Sequence, residues 1–498
     1  MENPFNIKTL GDLKKHGYVS RSVKDELREN LKKHIKNGTS VFEGIKGYEK
    51  TVIPQIEHAI LSKHDLILLG LRGQAKTRLL RSLYKLLDEY TPIVAGSELR
   101  EDPLNPLTAA TKQRLLDEGD STPIEWISRN DRYAEKLATP DTTVADLIGD
   151  IDPIKAATLR KNLSDEHVIN FGLIPRSNRG LFAINELPDL QPRIQVALLN
   201  IMQERDIQIR GFNVRIPLDV MIVFSANPED YTNRGNIITP LKDRIDAQII
   251  THYPKDIETG IAITAQEAWS RRNGSDVEIP YFIREIIEQI AFEARKSEYV
   301  DQKSGVSARL TITALEHVIS SAERRSCLNG DDSITVRLCD VYHTVPALTG
   351  KLELVYEGEQ EGAMNVARHL IGKAINTVFK KYFPDPRNKK QSSELYAPLI
   401  SWFSKGNTIE VSDVMSNIDY AKKLESVSGL ENVVIKTVKP GNMTEKLVMM
   451  EFVLEALHQN SVLGKDDLDN HTTYSDMVGS MLGSLGRFQE GQDEFTDI

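Results

Sequence analysis

A chain of 498 residues, 40% hydrophobic and 27% charged, has the composition of an ordinary soluble globular protein and the length of about three domains. Its net charge of -10 argues against a dedicated binder of nucleic acid or anionic membrane. Cys327 and Cys339 are the only cysteines, no run approaches the ~20 apolar residues of a membrane span, and the N-terminus lacks an apolar leader, so a cytoplasmic setting without a disulfide framework is expected.

Residues 1–40 are polar and Lys-rich, with a helical stretch over Val23–Ile35 that reads as a solvated helix. Lys36-Asn-Gly-Thr39 is a turn signal. From Val41 to about Tyr253, short apolar runs alternate with helical patterns, the signature of an α/β domain with a mainly parallel sheet. The first strand is Leu66–Leu69. It runs into Gly70-Leu-Arg-Gly-Gln-Ala-Lys-Thr77, which opens a helical pattern from Lys76 to Tyr90. Strand, glycine loop, Lys-Thr and helix is the layout that cradles nucleotide phosphates. Amides of the loop and helix start (Gly70, Gly73, Gln74, Ala75) face the anion, Lys76 adds a point charge, and the Thr77 hydroxyl can hold Mg²⁺. Arg78 joins these nucleotide-binding positions. Ala75 stands where a glycine is expected before the lysine. In the helical pattern, Leu79, Leu80, Leu83, Leu86 and Leu87 share a face.

The polar segment 97–165 is too long for a plain loop and reads as a functional insertion, with helical stretches at Leu107–Glu118 and Thr143–Lys161. Beyond it, Gly180–Asn185 is an apolar strand ending in Asn185-Glu186. A carboxylate delivered beside a phosphate loop can orient or deprotonate an attacking water, the role expected of Glu186. Asn185 holds the metal-facing place, keeping an oxygen acceptor without the charge. Ile194, Ala197, Leu198 and Ile201 share a helix face; Ile207–Gly211 and Phe212–Ile216 look like a hairpin. The strand Val220–Ser225 then ends in Ala226-Asn-Pro228. Asn227 there can bond a γ-phosphate or water, or simply initiate a turn. Arg244, in Leu241-Lys-Asp-Arg-Ile-Asp246, reads either as an arginine finger or as a surface ion-pair member.

From Pro254 the patterns are helical: Ile257–Trp269, Ile283–Lys296, Leu310–Arg325 and Ala363–Phe379. Ser307 is a candidate cap for the third of these, and Arg309 in its first turn opposes the helix dipole, which suggests a phosphate-binding task or an ordinary surface cation. The stretch 384–393 reads as a linker, Val433–Lys436 as a strand, and the tail from Gly486 as disordered.

These motifs, in this order, resemble an AAA+ ATPase of the branch containing the MoxR ATPases and the ATPase subunit of magnesium chelatase. The resemblance covers roughly Val41 to Leu348. It is carried by Gly70–Thr77 with alanine at Ala75, by Ile184-Asn-Glu-Leu-Pro-Asp-Leu-Gln-Pro-Arg193 and the helix after it, and by Asn170-Phe-Gly-Leu-Ile-Pro-Arg-Ser-Asn-Arg-Gly180. It implies an α/β, AAA+ P-loop core with a parallel sheet, followed by an all-helical lid, and the residue patterns after the lid add a mainly helical C-terminal extension. It also implies ATP and Mg²⁺ as ligands, a ring that is usually a hexamer, and ATP between subunits. Lys76 and Thr77 would bind phosphates and metal, Glu186 activate water, Asn227 and Arg309 act as sensors, and Arg244 serve as the finger. Ile45 near Gly47 falls where the family grips adenine. A partner protein, often one with a von Willebrand factor A domain, would be remodelled.

The expected domains are an N-terminal segment (1–40), the ATPase core (41–253, insertion about 97–165), the lid (254–385), an accessory region (386–485) and a tail (486–498). Asn185 departs from the family's aspartate and raises the alternative of a nucleotide-dependent scaffold with little turnover. A metal-chelatase ATPase subunit is the third reading.

Overall fold

The computed structural model describes residues 4–161, 166–209, 215–228, 236–272, 277–468 and 471–477. The chain forms two compact units that meet in sequence between Tyr253 and Pro254.

After a 3-10 turn (Pro4–Asn6) and a short helix (Leu10–Lys15), the first unit has α1 (Val23–Lys36) and α2 (Val52–Leu61), followed by β1 (Leu66–Leu69) and α3 (Lys76–Ser82). Then come β2 (Tyr133–Leu137), β3 (Gly180–Asn185), α4 (Pro192–Glu204), β4 (Val220–Ala226), α5 (Thr239–Arg244) and β5 (Ala247–Ile250). The five strands make one parallel sheet in the order β5-β1-β4-β3-β2. Both faces are covered, which is why the inner strands are continuously apolar. Leu66, Leu68, Leu181 and Val223 point into one core, shared with Leu79 and Leu83. Ile67, Phe182, Ile184 and Phe224 point into the other, shared with Leu198 and Ile201 of α4.

Several elements differ from the sequence reading. The N-terminal helix is not a solvated appendage: Val23, Leu27 and Leu31 are buried in the same core as β1. Glu26 on its inner face pairs with buried Arg132 at 2.6 Å. Its charged outer face masked an apolar stripe at helical spacing. β2 lies inside the segment expected to be an insertion. Its sequence, Tyr-Ala-Glu-Lys-Leu, is half polar, as befits a strand at the sheet edge. The helix after the phosphate loop stops at Ser82, tightens into a 3-10 turn over Leu83–Leu86, and gives way to a strand at Tyr90–Val94. Pro92 there disfavours helical geometry at Thr91.

The expected helix Thr143–Lys161 is broken. A short helix, Val144–Leu147, leads to an antiparallel strand pair, Gly149–Ile151 with Ile169–Phe171, and a second helix, Pro153–Leu159, follows its first strand. Gly149 has φ 123, and a Cβ there would lie 2.4 Å from the Asn170 carbonyl. The hairpin after α4 forms between Asp206–Gln208 and Arg215–Pro217; the turn expected between them lies outside the described residues.

The second unit contains α6 (Ile257–Glu267), α7 (Tyr281–Ala294), α8 (Arg309–Asn329), α9 (Ala363–Tyr382), α10 (Lys389–Ser404), α11 (Leu430–Thr437) and α12 (Met443–Gln459). Its core is continuous from Phe282 to Tyr474. The Phe282 and Phe452 rings stack at 4.8 Å between centroids, so α7 and α12 share one centre. The expected linker already contains the start of α10. The expected strand Val433–Lys436 is helical in α11, because Leu430, Val433 and Val434 present one buried face that overrides β-branched propensity. A small antiparallel sheet, Ile409–Ser412, Leu463–Leu468 and His471–Asp476, completes the unit. The tail from Gly486 lies outside the described residues. Among the described residues no helix is long and apolar enough to cross a membrane.

Candidate functional site

The sheet order decides what meets at its carboxyl edge. β4 lies between β1 and β3, with Leu69 in register with Ala226 and Phe224 with Ile184. The residues that follow these strands therefore emerge side by side at the edge where open α/β sheets bind ligands. They are the loop from Gly70, Asn227 and Glu186.

Their side chains are joined. The Lys76 ammonium, on a residue only 7% exposed, donates to the Gly70 carbonyl (2.5 Å), the Leu71 carbonyl (3.0 Å) and Asn227 Oδ1 (2.6 Å). Asn227 Nδ2 donates to Glu186 Oε2 at 2.9 Å. One carboxamide thus bridges a buried cation and a carboxylate drawn from three separate sequence motifs. Two non-glycine residues beside this chain sit in the left-handed region: Ala75 at φ 56, ψ 19 and Glu186 at φ 56, ψ 51. Each costs roughly 1–2 kcal/mol relative to ordinary backbone. Such outliers cluster where a site needs them. At Ala75 the left-handed turn aims the loop into α3, the task a glycine would do without strain.

Gly70 is demanded by close packing. A Cβ there would lie 1.9 Å from Thr251 Oγ1 and 2.2 Å from Gln74 Oε1. Gln74 is buried, and its side chain turns inward to accept from Thr251 Oγ1 at 2.6 Å. Only its backbone is thus turned toward the role expected of the loop. Gly70→Ala is expected to lower the melting temperature through about 1–3 kcal/mol of overpacking. Adding Thr251→Ala, which deletes the closer of the two atoms, should recover part of the loss; a single variant as stable as the parent would contradict the tight fit.

The remaining candidates are placed as follows. Asn185 is 8% exposed, and its Oδ1 accepts from the buried Ser225 hydroxyl at 2.9 Å, so the oxygen read as metal-facing already has a protein donor. Thr77 is half-buried in the first turn of α3, and Arg78 is exposed on it. Gly73 has φ 72, a turn that suits glycine. Arg244 ends α5 away from the Lys76–Asn227–Glu186 chain. Its guanidinium bonds Gln203 Oε1 (2.7 and 3.0 Å) and the Pro240 carbonyl (2.9 Å). Arg309 belongs to the second unit, exposed at the first position of α8, where its N–H donates to Ser307 Oγ at 3.2 Å. The cap position is Ala308 rather than the expected Ser307, which stands one residue before it and accepts from the first N–H of the helix. Ile45 is buried and Gly47 has φ 83, immediately before Tyr48.

Sequence reasoning missed the residues that hold the loop from behind. Tyr48 is buried, with its hydroxyl 3.0 Å from the Gln74 carbonyl and 2.7 Å from the His252 carbonyl. Burial pushes its phenol up to about 12. Thr251 follows β5, a strand the sequence reading did not identify. The rule that ligand-site residues follow parallel strands would have singled it out once β5 was known.

Comparison with known proteins gives residues 124–245 as a match to the AAA domain (dynein-related subfamily) family. The 38 kDa subunit of magnesium chelatase from Cereibacter sphaeroides is 30% identical over 126 residues, which are 25% of this chain and 35% of that protein. The same subunit from Rhodobacter capsulatus is 24% identical over 223 residues, 44% of this chain and 56% of that protein. The chain thus spans between about a third and just over half the length of these curated relatives. Among solved structures, the complex between subunits BchI and BchD of magnesium chelatase is similar at 20% identity, covering 64% of this chain and 98% of that one with a TM-score of 0.34.

Proposed function

We propose that this chain, which matches the AAA domain (dynein-related subfamily) over residues 124–245 and has the 38 kDa subunit of magnesium chelatase among its relatives, binds ATP with Mg²⁺ at the Lys76–Asn227–Glu186 chain and hydrolyses it within a ring, remodelling a partner protein. The observation that carries this reading is the hydrogen-bonded bridge Lys76–Asn227–Glu186 at the carboxyl edge of the sheet.

The residues fit a nucleotide. Lys76 donates to the Gly70 and Leu71 carbonyls and to Asn227 Oδ1, and phosphate oxygens would offer its ammonium charge-assisted bonds. Exchange of those bonds would release Asn227 Oδ1 toward a phosphate or water while Nδ2 keeps Glu186 in place. Glu186, held by Asn227, would orient or deprotonate the attacking water. The fit to Mg²⁺ is weaker. Thr77 offers a hydroxyl and Asn185 a neutral amide, and among the described residues no group of three His, Cys, Asp or Glu is placed to hold a metal. Mg²⁺, when bound, neutralises charge on the phosphates; it would enter with the nucleotide, held by Thr77. Arg244 would act on the nucleotide of a neighbouring subunit, and Arg309 as a lid-borne phosphate contact. The ring is proposed as a hexamer, and the partner as a von Willebrand factor A-domain protein, on the resemblance of the motifs.

The test is phosphate release by the purified chain with and without Mg²⁺, with light scattering before and after ATP. Mg²⁺-dependent turnover with growth to a ring-sized particle is expected. Absence of both nucleotide binding and turnover would sink the reading.

The bond from Ser225 to Asn185 favours a second reading, an ATP-dependent scaffold with slow turnover. Asn185→Asp restores a carboxylate where only an amide now stands. It is expected to tighten Mg²⁺ binding to the ATP complex by about tenfold and to speed turnover. Mg²⁺ titration of bound fluorescent nucleotide reads the first effect without catalysis. Brisk turnover by the parent, unchanged in Asn185→Asp, would remove the scaffold reading.

A further inference from the structure

Three residues lead out of the first unit, and all three are bonded to the candidate nucleotide site. Thr251 follows β5. Its N–H donates to the Leu69 carbonyl at 2.7 Å, and its hydroxyl to Gln74 Oε1 at 2.6 Å. The His252 carbonyl shares the Tyr48 hydroxyl with the Gln74 carbonyl. The His252 ring stands edge-on to Tyr48 at 5.0 Å. Its Nδ1 meets the Tyr253 carbonyl (2.8 Å) and its Nε2 the Thr51 hydroxyl (2.8 Å). A carbonyl can only accept, so in the neutral ring Nδ1 carries the proton and Nε2 accepts from Thr51. Tyr253, the last residue of the first unit, donates its hydroxyl to the Arg72 carbonyl at 2.9 Å. The next residue, Pro254, begins the second unit.

We propose that Thr251–Tyr253 is a positioning connector that couples the conformation of the phosphate loop to the start of the second unit. The proposal rests on the nucleotide reading above. Its physical basis is the lack of slack. Gly70 and Thr251 pack with no room for even a methyl group, since a Cβ on Gly70 would meet Thr251 Oγ1 at 1.9 Å. Gln74 and Arg72 are tied to the connector from inside the loop itself, Gln74 through its side chain to Thr251 and Arg72 through its carbonyl to Tyr253, while the Gln74 carbonyl shares the Tyr48 hydroxyl with His252. The other anchor, Tyr48 with Thr51, follows directly on Ile45–Gly47, the segment read as gripping adenine. When Lys76 trades the Gly70 and Leu71 carbonyls for phosphate, the peptides between Gly70 and Gln74 are the ones released to turn. They run directly into the Arg72 and Gln74 carbonyls, the acceptors for Tyr253 and Tyr48. Closely packed groups of this kind transmit displacement because they cannot absorb it. Thr251 and Tyr253 are accordingly positioning residues and need not touch the nucleotide.

The test is hydrogen exchange of the full chain, read by mass spectrometry, with ATP affinity measured in parallel. Tyr253→Phe removes one hydroxyl and little volume; Thr251→Val does the same at the other anchor. Without nucleotide, each is expected to speed exchange of the amides in 70–75. This arm tests the tie between loop and connector whether or not ATP binds. With saturating ATP, the parent should slow exchange over 251–260. The double variant should bind ATP within about threefold of the parent, lose that slowing, and show kcat lowered by about tenfold at similar KM. Thermal melting of each variant separates this from simple unfolding, and Tyr253→Phe alone serves if the double variant is unstable. Unaltered loop exchange in both single variants, or full ATP-dependent slowing in the double variant, overturns the proposal. Failure of the parent to bind ATP in the affinity measurement would instead overturn the nucleotide reading, identified by that measurement alone.

Discussion

Glu186→Gln is expected to leave ATP binding within a few-fold of the parent and to cut turnover by about 10²–10⁴. The substitution is nearly isosteric and keeps an oxygen that can accept from Asn227 Nδ2, so the observed 2.9 Å bond has a direct replacement. What it removes is the basic carboxylate. No second carboxylate stands beside it in the sequence, because Asn185 occupies the adjacent place and is held by Ser225. The left-handed backbone at Glu186 argues in the same direction, since a residue serving only as a strand end has no need of φ 56. Phosphate release and fluorescent-nucleotide titration, run on the same preparation, separate the two effects. Turnover retained at the parental rate would mean that another group handles the water.

The three residues of the candidate bridge, Lys76, Asn227 and Glu186, were legible in the sequence as candidates, while the geometry that joins them was not. Lys76, Glu186 and Asn227 each follow an apolar run ending in polar residues, and that pattern survives translation into three dimensions because parallel strands deliver their ends to one edge. The bridging role of Asn227 depends on β4 lying between β1 and β3, and strand order is not written in local periodicity. The same limit hid the supports. Tyr48 and Thr251 are far apart in the chain and meet at the loop only because β5 pairs with β1.

Of the fold, the apolar strands and the long helices of the second unit were readable. Elements decided by tertiary packing were not: β2 is too polar to announce itself, and α11 is too β-branched to look helical. Val23, Leu27 and Leu31 were hidden by the charged and polar residues between them, although their spacing is that of a buried face.

The largest effect on binding is expected from Lys76→Ala. The lysine donates to three oxygens at 2.5, 2.6 and 3.0 Å while only 7% exposed, so its ammonium is already desolvated and oriented before any phosphate arrives. Preorganisation of this kind makes a charge worth more than it is in water. Hydrogen bonds to charged groups contribute about 1.5–3 kcal/mol each, so losing one or two to the phosphates should weaken ATP by roughly 10²–10³-fold. A second consequence distinguishes this lysine from a surface one. Deleting it also strips a donor from the Gly70 and Leu71 carbonyls and from Asn227, and the loop should lose stability even without nucleotide. Lys76→Ala is therefore expected to melt earlier than the parent, by a shift that added ATP no longer restores. Lys76→Arg should fail as well, because a planar guanidinium cannot donate in the three directions that the compact ammonium serves. Calorimetric titration with ATP and melting curves with and without it measure both halves. An ATP affinity within about threefold of the parent would place the nucleotide away from Lys76 and take the Lys76–Asn227–Glu186 bridge out of the mechanism.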